Sequence, residues 1–151
     1  MRTSQFPATL RRLWAADLTP AQLYGFLRLR AEVFVVEQNS LYLDLDGRDL
    51  EPTTRHFWLE TDSPKPVAYL RLLEEPDGSF RIGRVVTARA ARGCGFSRRL
   101  VEAALADVGH APCVLDAQVY VADFYASFGF EPEGNEFIED GIPHLRMRRT
   151  H

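Results

Sequence analysis

The stretch that most constrains this chain lies between Thr87 and Ser97: Ala88-Arg89-Ala90-Ala91-Arg92-Gly93-Cys94-Gly95-Phe96. Before it, Phe80–Thr87 reads as a strand. After it, Ser97–Val108 places Leu100, Val101, Ala104, Leu105 and Val108 on one helical face, and Gly109 stops the helix. A strand that passes through small residues into an amphipathic helix has a specific electrostatic consequence. The first amides of a helix lack internal acceptors, and the helix dipole adds partial positive charge there. Gly93 and Gly95 let the backbone curl around an anion, and Arg98 and Arg99 add charge. The segment therefore predicts a phosphate-binding turn. It is not a Walker loop, because no Gly-Lys-Ser/Thr follows, and it lacks the third glycine of a dinucleotide fingerprint. Without further signals, a tight turn holding no ligand would explain it too.

The remaining pattern supplies the sheet. Thr9–Trp14 is a first strand, and Thr19-Pro20 starts a helix that continues through Ala21–Glu37. Gln38–Thr54 is a long loop with Asp44, Asp46 and Asp49. Arg55–Thr61, Pro66–Leu73 and Phe80–Thr87 are strands joined by turns at Ser63-Pro64 and Pro76-Asp77-Gly78, which predicts antiparallel hairpins. Cys113–Ala117 is a short buried strand, Ala122–Phe128 a short helix, and Phe137–Arg148 one or two last strands. The order β-α-β-β-β-α-β-α-β predicts a mixed α/β (α+β) fold with a single, mostly antiparallel sheet flanked by helices.

A length of 151 residues predicts one domain over residues 1–151. The net charge of −3 argues against nucleic-acid binding by bulk electrostatics and against a polybasic membrane surface protein. No window approaches 18 apolar residues, and MRTSQFPATLRR lacks the apolar core of a signal peptide. The two cysteines, Cys94 and Cys113, form no disulfide framework. A cytoplasmic protein with reduced thiols is expected. Histidines and cysteines show no zinc spacing, so no metal is expected.

Arg92-x-x-Gly95-x-Ser97 resembles the pyrophosphate loop of the GNAT N-acetyltransferase superfamily, with Ser97 where Gly or Ala is usual. Phe124-Tyr125-Ala126-Ser127-Phe128-Gly129-Phe130 resembles a second segment of that family. Leu29–Asn39, Tyr42, Asp46-Gly47-x-Asp49-Leu50, Thr54-Arg55-His56 and Glu139–His144 are similar to its ElaA-like branch. The resemblance runs from about Leu23 to Met147. It implies the GNAT fold and transfer of an acetyl group from acetyl-CoA to an amine, on a small molecule or a peptide, within a ternary complex. It further implies that the amides of Gly93, Cys94, Gly95, Phe96, Ser97 and Arg98, with Arg92, hold the coenzyme pyrophosphate. Val85, Val86 and Thr87 would pair with the pantetheine arm, and an amide near Val86 would polarise the thioester carbonyl. Gln118 and Phe124 would face the coenzyme, and Tyr125 would protonate the departing thiolate. Domains of this kind often dimerise, so a homodimer is one expected state.

Acetyl transfer also needs a route for the amine's proton. Glu37, His56 and His144 are the candidate bases. Each has a plainer role: Glu37 in an ion pair with Arg30 or Arg55, and the histidines bonded to carbonyls. Arg30 is out of place on an apolar helix. It either binds a substrate carboxylate or, as favoured, pairs internally with Glu37, Asp44, Asp46 or Asp49. Gln38, beside Glu37, is a second candidate for substrate contact. The acidic loop points to a cationic amine, unless it is merely solvated. Cys94, at a helix N-terminus, is expected to be modestly reactive and shielded by coenzyme, or else inert. A coenzyme-binding sensor without turnover, an interaction module, and an acyl-homoserine-lactone-synthase-like acyltransferase stand as alternatives.

Overall fold

The structure, a computed structural model, describes residues 7–150. The expected domain and the stretch read for a leader therefore extend in part outside the described residues. Among the described residues, one sheet of eight strands organises the fold: β1 Thr9–Trp14, β2 Arg55–Glu60, β3 Pro66–Glu74, β4 Phe80–Thr87, β5 Cys113–Gln118, β6 Glu131–Pro132, β7 Phe137–Glu139 and β8 Ile142–Arg149. The order across it is β1-β2-β3-β4-β5-β8-β6, with β7 also on β8. Three helices, α1 Pro20–Arg30, α2 Phe96–Val108 and α3 Ala122–Ala126, accompany it. This is the mixed α/β class read from the element order. Among the described residues no helix is long and apolar enough to cross a membrane.

The core has two layers. Under α2, Leu100, Val101, Ala104 and Val108 pack on Phe57, Leu59, Leu70 and Leu72. On the opposite face, Phe26, Leu29 and Val33 cover Trp58, Tyr69 and Val86. The period-2 alternation of β2 and β3 feeds both layers, because successive side chains point to opposite faces.

The first helix starts where the sequence predicts. Thr19 accepts from the Gln22 amide at 3.1 Å while the Gln22 side chain accepts from the Thr19 amide at 2.9 Å, a reciprocal cap. Its continuation differs from the single helix expected over Ala21–Glu37. From Ala31 to Glu37 the chain is a π-helix, and the Gln38 amide bonds back five residues to Val33 at 3.0 Å. The wider turn keeps Val33 buried and carries Glu37 to the cleft described below.

β4 and β5 form the sole parallel pair among these registers, and it is short: Phe80 faces Cys113 and Arg81 faces Val114. Beyond that point the two strands part. The cause lies in β4. Tyr69 of β3 pairs with Val86 and Arg71 with Gly83, so Arg84 and Val85 stand opposite the one residue Leu70. Arg84 takes a left-handed φ of 55°. Such a bulge bends its strand and ends regular pairing. The β5-facing edge of residues 82–87 is left without a strand partner.

Candidate active site

The splay between β4 and β5 opens into a cleft of about 1070 Å³. One wall is the start of α2. Gly93 and Gly95 adopt φ of 82° and 77°, and a Cβ at either would meet nothing within 4 Å, so the conformation itself calls for glycine. Gly95 is the N-cap of α2 and no side chain caps the helix. The helix amides are thus left for an anion. Ser97 does not cap; its hydroxyl bonds Thr87 Oγ1 at 2.7 Å and ties the end of β4 to the first turn of α2. Arg98 lies over Phe124 and Phe128, with centroids 5.4 and 4.6 Å from its guanidinium carbon, and donates to Ser127 at 3.0 Å. Gly93, Gly95, Phe96, Ser97 and Arg98 line the cleft, as do Val85, Val86, Thr87, Arg92, Gln118 and Phe124. Cys94 is not among the lining residues; its thiol sits 3.9 Å from the Arg92 carbonyl and packs against the core.

The proposed acid and bases separate. Tyr125 lines the cleft at 7% exposure, edge-on to Phe124 and Phe130. Burial pushes its phenol well above the ordinary range, so it stays protonated. His144 also lines the cleft, stacked on Phe137. Its Nδ1 lies 2.7 Å from the Ile142 carbonyl. A carbonyl can only accept, so Nδ1 carries a proton, and Nε2 is the ring nitrogen that faces other partners. His56 must be removed from the candidates. It is fully buried, outside the cleft lining, with Nδ1 2.7 Å from the Tyr69 hydroxyl and Nε2 2.9 Å from the Asp49 carbonyl. Glu37 reaches the cleft, but its partner is neither Arg30 nor Arg55. Arg92 donates to both its oxygens, at 2.6 and 2.9 Å, and holds its carboxyl below the usual range.

Gln38 and Gln118 meet across the cleft, Nε2 of Gln118 donating to Oε1 of Gln38 at 3.2 Å. The Tyr120 hydroxyl bonds Gln118 in turn. Tyr120 lines the cleft and was missed among the candidate residues, although it follows Gln118 by two positions.

Arg30 takes the internal pairing of its two expected roles. It has no exposed surface and is spent internally: Nε on Asp44 at 2.8 Å, Nη1 on Asp49 at 2.6 Å and Nη2 on the Asp44 carbonyl. Arg71 joins Asp46 and Asp49, and Arg84 on the β4 bulge reaches Asp44 at 2.8 Å. Burial alone would raise the Asp49 carboxyl, but Arg30 and Arg71 outweigh it and hold it below its ordinary value. Three arginines thus answer the three loop aspartates, so the loop does not offer a cationic acceptor free negative charge. Among the described residues no group of three or more His, Cys, Asp or Glu could hold a metal ion.

Comparisons with known proteins agree with this geometry. Residues 15–151 match the family described as acetyltransferase (GNAT) domain. A UPF0039 protein of Mycobacterium tuberculosis is 56% identical over 143 residues, covering 93% of this chain and 92% of its own. The crystal structure of an acyl-CoA N-acyltransferase from Pseudomonas aeruginosa superposes with a TM-score of 0.90 at 40% identity, over 95% of this chain and 99% of that one. Escherichia coli ElaA superposes at 0.88 with 38% identity over the same shares. With an uncapped helix start, a splayed strand pair and these relatives, the chain belongs to the GNAT acetyltransferase family, on its ElaA-like branch.

Proposed function

We propose that this protein transfers the acetyl group of acetyl-CoA directly to an amine acceptor within a ternary complex. The observation that carries the reading is the β4–β5 splay, which brings an unpaired strand edge and an uncapped helix N-terminus into one cleft. A slender ligand with an anionic end fits both. The amides of residues 93–98 hold the diphosphate, with Arg92 and Arg98 beside them. The edge at Val85, Val86 and Thr87 receives the pantetheine amides as a strand would. Acetyl-CoA, when bound, supplies an activated acyl carbon.

The chain's own groups do the rest. A backbone amide near Val86 steadies developing negative charge on the carbonyl oxygen. His144, oriented by the Nδ1 contact to the Ile142 carbonyl, accepts the amine's proton at Nε2. Tyr125, kept protonated by burial, donates to the departing sulfur. Acceptors are small-molecule or peptide amines.

The test is thiol release from acetyl-CoA across an amine panel. Tyr125→Phe is expected to lower kcat about 100-fold while leaving coenzyme A affinity unchanged. Saturable coenzyme binding with no turnover on the panel would replace transfer by a sensor function.

A further inference from the structure

The Glu37–Arg92 pair joins opposite sides of the cleft. Glu37 ends the π-helical segment, and Arg92 opens the glycine loop 55 residues later. Both Nη groups of Arg92 are on the Glu37 carboxylate, while Nε donates to the Thr87 carbonyl at 3.1 Å. An anion seated on the α2 amides would therefore find a carboxylate already in possession of the neighbouring guanidinium. Two anions facing one cation repel each other, and the exchange of one bidentate partner for another relieves that repulsion. The pair is open to water, with side-chain exposures of 42% and 28%, so breaking it costs little. The bond from Nε to Thr87 keeps the guanidinium in place while its Nη groups change partner. Gln38, adjacent to Glu37, makes the other bridge, to Gln118.

We propose that Glu37 and the coenzyme diphosphate compete for Arg92, so that the Glu37–Arg92 pair is a latch across the cleft that the coenzyme displaces as it binds. The proposal rests on the coenzyme reading above. It gives Glu37 a part in coenzyme entry in place of the base role. It makes the coenzyme the ligand that frees the end of the π-helical segment.

Isothermal titration of coenzyme A and of pantetheine, which lacks the diphosphate, tests this on the whole chain. Glu37→Gln is expected to tighten coenzyme A binding about two- to fivefold and to leave pantetheine binding unchanged. Arg92→Gln is expected to weaken coenzyme A binding, and in the Arg92→Gln background the Glu37→Gln change has no effect. Weaker or unchanged coenzyme A binding by Glu37→Gln overturns the latch and leaves the coenzyme site standing. So does equal tightening for pantetheine. Failure of the unaltered protein to bind coenzyme A overturns both the latch and the coenzyme reading.

Discussion

Arg30 shows how a single side chain ties a helix to the loop that follows it. Buried among Asp44 and Asp49, it joins the end of α1 to a loop that has little regular structure of its own. Removing one partner of such a group leaves uncompensated buried charge. Arg30→Met is expected to cost about 3–5 kcal/mol of stability, read from urea unfolding. A loss below about 1 kcal/mol would mean that the loop is held elsewhere. The misfit of an arginine on an apolar stripe was legible in the sequence, and so was the set of aspartates that answers it. The partner of Glu37 was not. Arg92 lies across a cleft whose existence depends on the splay of two strands, and no spacing in the chain encodes that contact.

At the scale of elements, local chemistry marked the beginnings better than the continuations. Thr19 and Pro20 announce α1 because capping is decided within a few residues, and Gln22 completes the cap in the structure. The change to π-helix at Ala31 leaves the apolar spacing nearly intact and is hidden from it. The bulge at Arg84 and Val85 is hidden for a similar reason: one added residue in a short strand looks like imperfect alternation. Yet that bulge bends β4 from β5 and makes room for the site. Conversely, Gly93 and Gly95 were legible because their left-handed conformations limit the residue choice. A β-branched residue at φ near 77° is strained by about 1–2 kcal/mol.

For the whole molecule, the buried polar groups set the response to pH. His56 is held neutral by burial, and its pKa is lowered from 6.5. The unfolded chain binds that proton first, so stability is fully present above pH 6.5 and is lost as pH falls below it. The Asp46 and Asp49 carboxyls, lowered from 3.8, add a second loss below that value. The melting temperature is therefore expected to fall between pH 7.5 and 5.5, with a smaller fall for His56→Gln. A flat profile over that interval would contradict a neutral His56.

If acetyl-CoA binds the β4–β5 cleft, it stabilises the folded chain as a whole. Thermal unfolding with increasing acetyl-CoA and free coenzyme A tests it most directly. At 100 times the dissociation constant, binding adds about 2.7 kcal/mol, a rise of roughly 5–10 °C for a chain of this size. A saturable rise with both ligands, abolished by Gly95→Val, is expected. No shift at millimolar coenzyme, or an equal shift in Gly95→Val, would contradict it.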